Sequence, residues 1–261
     1  MPKVKDIASA IEEFAPLSLQ ESYDNAGLQV GDPEMEATAA LLCLDVTEDI
    51  MAEARERSCN MIISHHPLIF GGLKAVTGAD ATQRIVADAI RSGMAIFAAH
   101  TNLDCAWQGV SYEIARIIGM KHPKVLEPKP ENPEAGLGVI GDIEGKPVLE
   151  FLRMVKDKFG VQALRYGGPA SCLVVKRVAI CGGSGASLIP QAIRQGADAI
   201  LTGDVKYHDF TTYASRIVIA DIGHFESELC TKRIFSRIIR EKFPNFVTYF
   251  SETEKNPIKI M

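Results

Sequence analysis

The tightest constraint on this chain is that two of its stretches resemble each other. Residues 40–64, moved forward by 138 positions, fall on 178–202. "LCLD…IMAEARERSCNMIIS" then lies over "ICGG…LIPQAIRQGADAILT". Each reads as strand, loop, helix, strand, with matching lengths. Short apolar runs bounded by turn residues suit buried strands, and the apolar spacing between them suits an amphipathic helix. The expected fold class is therefore α/β: two similar units, related by internal duplication, each built on parallel strands.

The neighbouring segments extend this pattern. Apolar groups at 4, 7, 8, 11 and 14 predict an N-terminal helix. "SYDNAGLQVGD" reads as turn residues entering a short strand. Strands are expected at 39–45, in "NMIISHH" and at 94–100, with helices at 47–58, capped by Thr47, and at 80–93, closed by Gly93. The segment 124–150, rich in Pro, Gly and Glu, reads as a crossover between the halves. A helix at 148–159 follows, then strands at 176–183, 197–204 and 215–224 with a helix at 186–196. A long helix is expected over 226–243, its apolar face serving the core or a subunit interface. The expected organisation is a first unit over 1–123, a second over 124–221, and the segment 222–261 packing back on the first.

Composition narrows the function. In 261 residues no apolar run reaches the roughly 18 needed for a membrane helix. The charged N-terminus lacks a signal-peptide core, so a cytoplasmic protein is expected. The six cysteines are scattered without a C-x-x-C pair, which argues against a zinc ribbon or a disulfide framework and for buried thiols. A net charge of −5 provides no global attraction for nucleic acid, although it leaves room for a local basic patch.

The histidines carry the chemistry. "IISHHPLIF" ends a buried strand in His65 and His66. A later strand of the first unit ends in "HTNLD", His100 to Asp104, and one of the second in "HFESE", His224 to Glu228. Ligands of open α/β sheets collect at the carboxyl ends of strands. Three such ends carrying imidazole and carboxylate would suit Zn, Fe, Mn, Ni or Co. Few protein ligands and open positions are the pattern of catalytic rather than structural sites.

Together "YDNAGLQVG", "ISHHP", "HTNLD", "GGSG", "LTGD" and "GHFESE" resemble the NIF-three-like family. Many of its bacterial members carry the name GTP cyclohydrolase 1 type 2 homologue. The motifs stand in family order along nearly the whole chain; Tyr23 stands where the family commonly has Trp. The resemblance implies two intertwined α/β/α halves without an inserted domain, and a toroidal homohexamer. It also implies two divalent metal ions held by His65, His66, Asp104, His224 and Glu228, with Asp104 as the bridge. His100 would line the site and shuttle a proton. The implied reaction is hydrolysis of a nucleotide, opening the imidazole ring of GTP with water. Phosphoester or cyclic-amide hydrolysis would use the same metals. The contrasting expectation is a metal-binding, ring-shaped scaffold or regulator, with nucleic acid or protein as partner.

Two further stretches are ambiguous. In "CGGSGAS", amides around Gly183 and Ser184 suit a phosphate, while a tight turn explains the same glycines. In "GDVKYHD", Lys206 and His208 suit contact with an anionic substrate or simple capping of the loop.

Overall fold

A computed structural model describes residues 1–169 and 171–261. The chain forms two units, each assembled from separated stretches: Met1–Leu103 with Thr231–Lys255, and Asp104–Cys230 with Asn256–Met261.

In the first unit the apolar runs become β2 (Ala39–Cys43), β3 (Met61–Ser64) and β4 (Ala95–Ala98), all parallel. β1 (Gly27–Val30) pairs antiparallel with β4, and β11 (Val247–Phe250) joins β2 in parallel at the other edge. Alternate strand residues face alternate sides. Leu41, Cys43, Ile62 and Ile96 pack with Ile50, Met51 and Ala54 of α2 (Glu48–Glu56) and with Ile85, Val86 and Ala89 of α3 (Ala81–Ser92). The intervening Ala40, Leu42, Ile63 and Phe97 are also buried. α1 (Val4–Phe14) packs against α10 (Thr231–Lys242), and α10 against β2. Thr47 caps α2 through its hydroxyl, and Gly93 closes α3 at φ 64°, both as the sequence requires.

The second unit repeats the parallel trio as β8 (Val174–Ser184), β9 (Ala199–Gly203) and β10 (Val218–Asp221). The duplication holds to the level of register. Ala40 pairs with Met61 in the first sheet, and Val178 with Ala199 in the second, each displaced by the same offset. β5 (Lys121–Lys129) and β6 (Asn132–Pro147) extend this sheet antiparallel on one side, and β7 (Arg165–Gly167) on the other. Its helices are α5 (Val110–Ile118), α6 (Val148–Phe159), α7 (Ile189–Arg194), α8 (Tyr207–Tyr213) and α9 (His224–Glu228). α4 (Thr101–Cys105) follows β4 and carries the chain from one unit into the other.

Two expectations are corrected. The segment 124–150 is a long hairpin, β5–β6, rather than a crossover, because its two arms pair with each other and bury Leu126, Val139 and Ile140 in the second sheet. The division between the units falls after Leu103 and after Cys230. The cause is packing: α5 lies on β6 and β8, and α9 on β8 and β9. The helix expected over 226–243 is broken between α9 and α10. There the Ser227 hydroxyl bonds the His224 carbonyl at 2.7 Å and the Cys230 thiol the Ser227 carbonyl at 3.6 Å, local bonds that compete with the helical ladder.

Candidate metal centre

In the first unit, parallel register brings strand ends side by side. Ser64 pairs with Ala98 and Cys43 with Ser64, so the residues leaving β2, β3 and β4 emerge together. His65, His66 and His100 each present a ring nitrogen within 4.8 Å of the others. Their ring centroids lie 5.1–5.5 Å apart. His65 is fully buried.

Each ring is held through Nδ1. His65 donates to the Ala99 carbonyl at 2.9 Å, His66 to Asp45 Oδ1 at 2.9 Å and His100 to Asp24 Oδ1 at 2.8 Å. An acceptor at Nδ1 keeps the proton there and leaves Nε2 with the lone pair in a neutral ring. Metal-binding histidines are commonly oriented in this way. Asp24 also accepts from the Thr101 amide at 3.0 Å and the Thr101 hydroxyl at 2.5 Å. Burial pushes this carboxyl up, but the bonds from His100 and Thr101 outweigh it and hold Asp24 well below the usual carboxylate range. It is therefore an anion beneath His100.

The second unit carries its own donors on the short helices α4 and α9. His224 Nδ1 donates to Asp204 Oδ2 at 2.7 Å, and its Nε2 lies 3.0 Å from Glu228 Oε2. The bond to Glu228 is the main cause that raises His224 to about 9; burial opposes it, and the charges of Glu228 and Asp204 add to it. The ring sits between two carboxylates, a position that favours a cation, proton or metal ion alike. Binding a metal there would release the Nε2 proton. Asp104 shares this neighbourhood. Burial first, then the charges of Asp104 and Glu228, push the Cys181 thiol well above its ordinary value.

Gly183 makes room for Glu228. It adopts φ 59°, and a Cβ there would lie 2.2 Å from Glu228 Oε1. Its amide donates to the Ser227 hydroxyl at 2.9 Å, and that of Gly185 to Thr202 Oγ1 at 2.8 Å. Ser184 is exposed at the edge of this turn. Lys206 and His208 are exposed at the start of α8. The Lys206 amide is capped by Asp209 Oδ2 at 2.9 Å, and the His208 carbonyl accepts from the Thr211 and Thr212 hydroxyls.

Sequence reasoning missed Asp24, Asp45 and Asp204. The signal was present for two of them: "LLCLD" and "LTGD" end strands adjacent to those that lead to the histidines. The donor chemistry fits a metal ion. Imidazoles oriented by carboxylates, with further carboxylates at hand, match borderline divalent cations.

The chain is similar to known proteins over nearly its whole length. Residues 2–257 match the family described as Duf34/NIF3 (NGG1p interacting factor 3). A GTP cyclohydrolase 1 type 2 homolog of Clostridium perfringens is 35% identical over 262 residues, covering 99% of this chain and 100% of that one. Another, from Clostridium acetobutylicum, is 37% identical over 229 residues, covering 87% and 85%. A crystal structure of a Staphylococcus aureus protein matches with a TM-score of 0.91 at 28% identity, covering 100% of this chain and 99% of that one.

Proposed function

The chain belongs to the Duf34/NIF3 family, and from that premise we propose that it is a metal-dependent hydrolase acting on a nucleotide or a related cyclic C–N bond. The observation that carries the reading is the common treatment of the histidines: His65, His66, His100 and His224 each have Nδ1 bound to a protein acceptor. His65, His66, Asp104, His224 and Glu228 would hold two divalent ions. The names of the Clostridium relatives suggest GTP chemistry. Bound ions would supply Lewis acidity that activates water near neutral pH and polarises the bond to be cut.

The chain's own residues do the rest. Asp45 and Asp204 orient His66 and His224. His100 is suited to move protons, because the Asp24 carboxylate holds its ring at Nδ1 and fixes its orientation. It would accept a proton from the attacking water and return it to the leaving nitrogen, a role worth about 10²–10⁴-fold in rate.

Elemental analysis of protein purified without chelator tests the ligands. Up to two divalent ions per chain are expected, and the double variant His65→Ala, His224→Ala should lose most of them; full retention would refute the ligand set. A screen of the metallated protein against nucleotides, phosphoesters and cyclic amides tests the enzyme. His100→Ala should keep its ions and lose turnover. If the fully metallated wild type turns over none of these substrates, a metal-binding scaffold replaces the hydrolase.

A further inference from the structure

One aromatic ring stands beside the first-unit histidines without joining the core. The segment that leaves His66 packs Leu68, Ile69 and Leu73 against the core of the first unit. Phe70, among them, is 51% exposed. A half-exposed phenyl side chain forgoes part of its favourable burial in such a position, and the backbone shows what keeps it there. Asn25 Nδ2 donates to the Ile69 carbonyl at 2.6 Å, and the Ile69 amide donates to Gln29 Oε1 at 3.0 Å. Both backbone groups of the preceding residue are thus clamped. Gly71 and Gly72 follow in open space. The clamp turns Phe70 toward His100, with ring centroids 6.2 Å apart at 74°. Tyr23 is 62% exposed, with its ring 6.4 Å from Phe70.

The turn "YDNAGLQ" therefore does two things. Asp24 fixes His100, while Asn25 and Gln29 hold Phe70 beside it. Exposed aromatic faces held next to polar, charge-bearing groups are what a planar unsaturated ring stacks on. We propose that Tyr23 and Phe70 form an aromatic rim that receives the flat face of a heteroaromatic ring in the substrate and presents its edge to His100. This rests on the hydrolase reading and deepens it. The substrate class becomes compounds carrying a planar conjugated ring, and saturated cyclic amides are disfavoured. Phe70 is a specificity-determining residue, while Asn25 and Gln29 are positioning residues that act through Ile69.

The test is binding, read apart from turnover. Metal-loaded protein is titrated by calorimetry with guanosine and adenosine, and with ribose as the ringless control. The wild type should bind the nucleosides and not ribose. Phe70→Ala should weaken nucleoside binding about tenfold or more while metal content is unchanged. Phe70→Leu, apolar but without a π face, should resemble Phe70→Ala, and Phe70→Trp should retain binding. Asn25→Ala should weaken binding less than Phe70→Ala, because the ring remains but is no longer aimed. Nucleoside binding unaffected by Phe70→Ala would overturn the rim, as would a metallated wild type that binds neither nucleoside. A fall in oligomer size in Phe70→Ala with binding intact would also overturn it and make Phe70 a contact between copies. If binding follows Phe70 but nothing is turned over, the rim stands and the hydrolase reading falls.

Discussion

The four histidines share one arrangement: Nδ1 meets a protein acceptor, so ring orientation is settled before any ion binds. Carboxylates in this supporting role typically contribute 10–100-fold to metal affinity. Asp204→Asn should therefore weaken divalent-ion binding by about 10–100-fold, as read by metal titration, with an unchanged circular dichroism spectrum. Undiminished affinity would show that the bond to His224 is incidental. Gly183 imposes a different requirement, since its φ of 59° and its closeness to Glu228 leave no space for a methyl group. Gly183→Ala should cost about 1–3 kcal/mol in urea unfolding and reduce metal content by displacing Glu228. A variant with wild-type stability and metal content would contradict both effects.

At the scale of elements, the segment after β11 is a strap pinned by buried carboxylates. Glu53 of α2 accepts from the Ser251 hydroxyl at 2.7 Å, the Glu252 amide at 3.0 Å and the Thr253 hydroxyl at 2.7 Å. Glu254 takes the Leu44 amide at 2.5 Å and the Asp45 amide at 3.2 Å, just behind the residue that orients His66. Burial raises the Glu53 carboxyl, but these donors outweigh it and bring it down to about 2 from its ordinary 4.5. A depressed carboxyl contributes stability above its unfolded-state value and loses it as pH falls toward the folded one. The Glu53 contribution is thus complete above pH 4.5 and drains away between 4.5 and about 2. Glu53→Gln should be less stable at pH 6 by about 1.5–3 kcal/mol, and the gap should narrow near pH 3. Parallel urea curves with a constant gap at both pH values would refute this account.

Taken whole, the described residues contain no helix long and apolar enough to cross a membrane. Assembly remains a proposal from the family resemblance, in which a toroidal homohexamer is expected. Light scattering on metal-loaded protein should give a mass near six times 28.4 kDa, and a monomer across micromolar concentrations would contradict it.

The duplicated strand–helix–strand could be read from the sequence because its signals are local. Continuous apolar runs, a Thr47 cap and a Gly93 stop each act within a few residues, and the offset between the copies survives into strand register. The histidines at strand ends were legible for the same reason, since a strand's end follows from where its apolar run stops. The hairpin over 124–150 was not, because Pro and Gly read as breakers until a neighbouring strand pairs with them. The partners of the histidines were hidden too. Asp45, Asp204 and Asp24 lie 21, 20 and 76 residues from the rings they hold. Strand ends far apart in the chain meet only through register, and a cap or a periodicity does not encode that distance. The sequence by itself therefore determined the repeated elements and the donor types. The tertiary structure alone decided which carboxylate stands behind which imidazole, where the units divide and which aromatic ring is held at the rim.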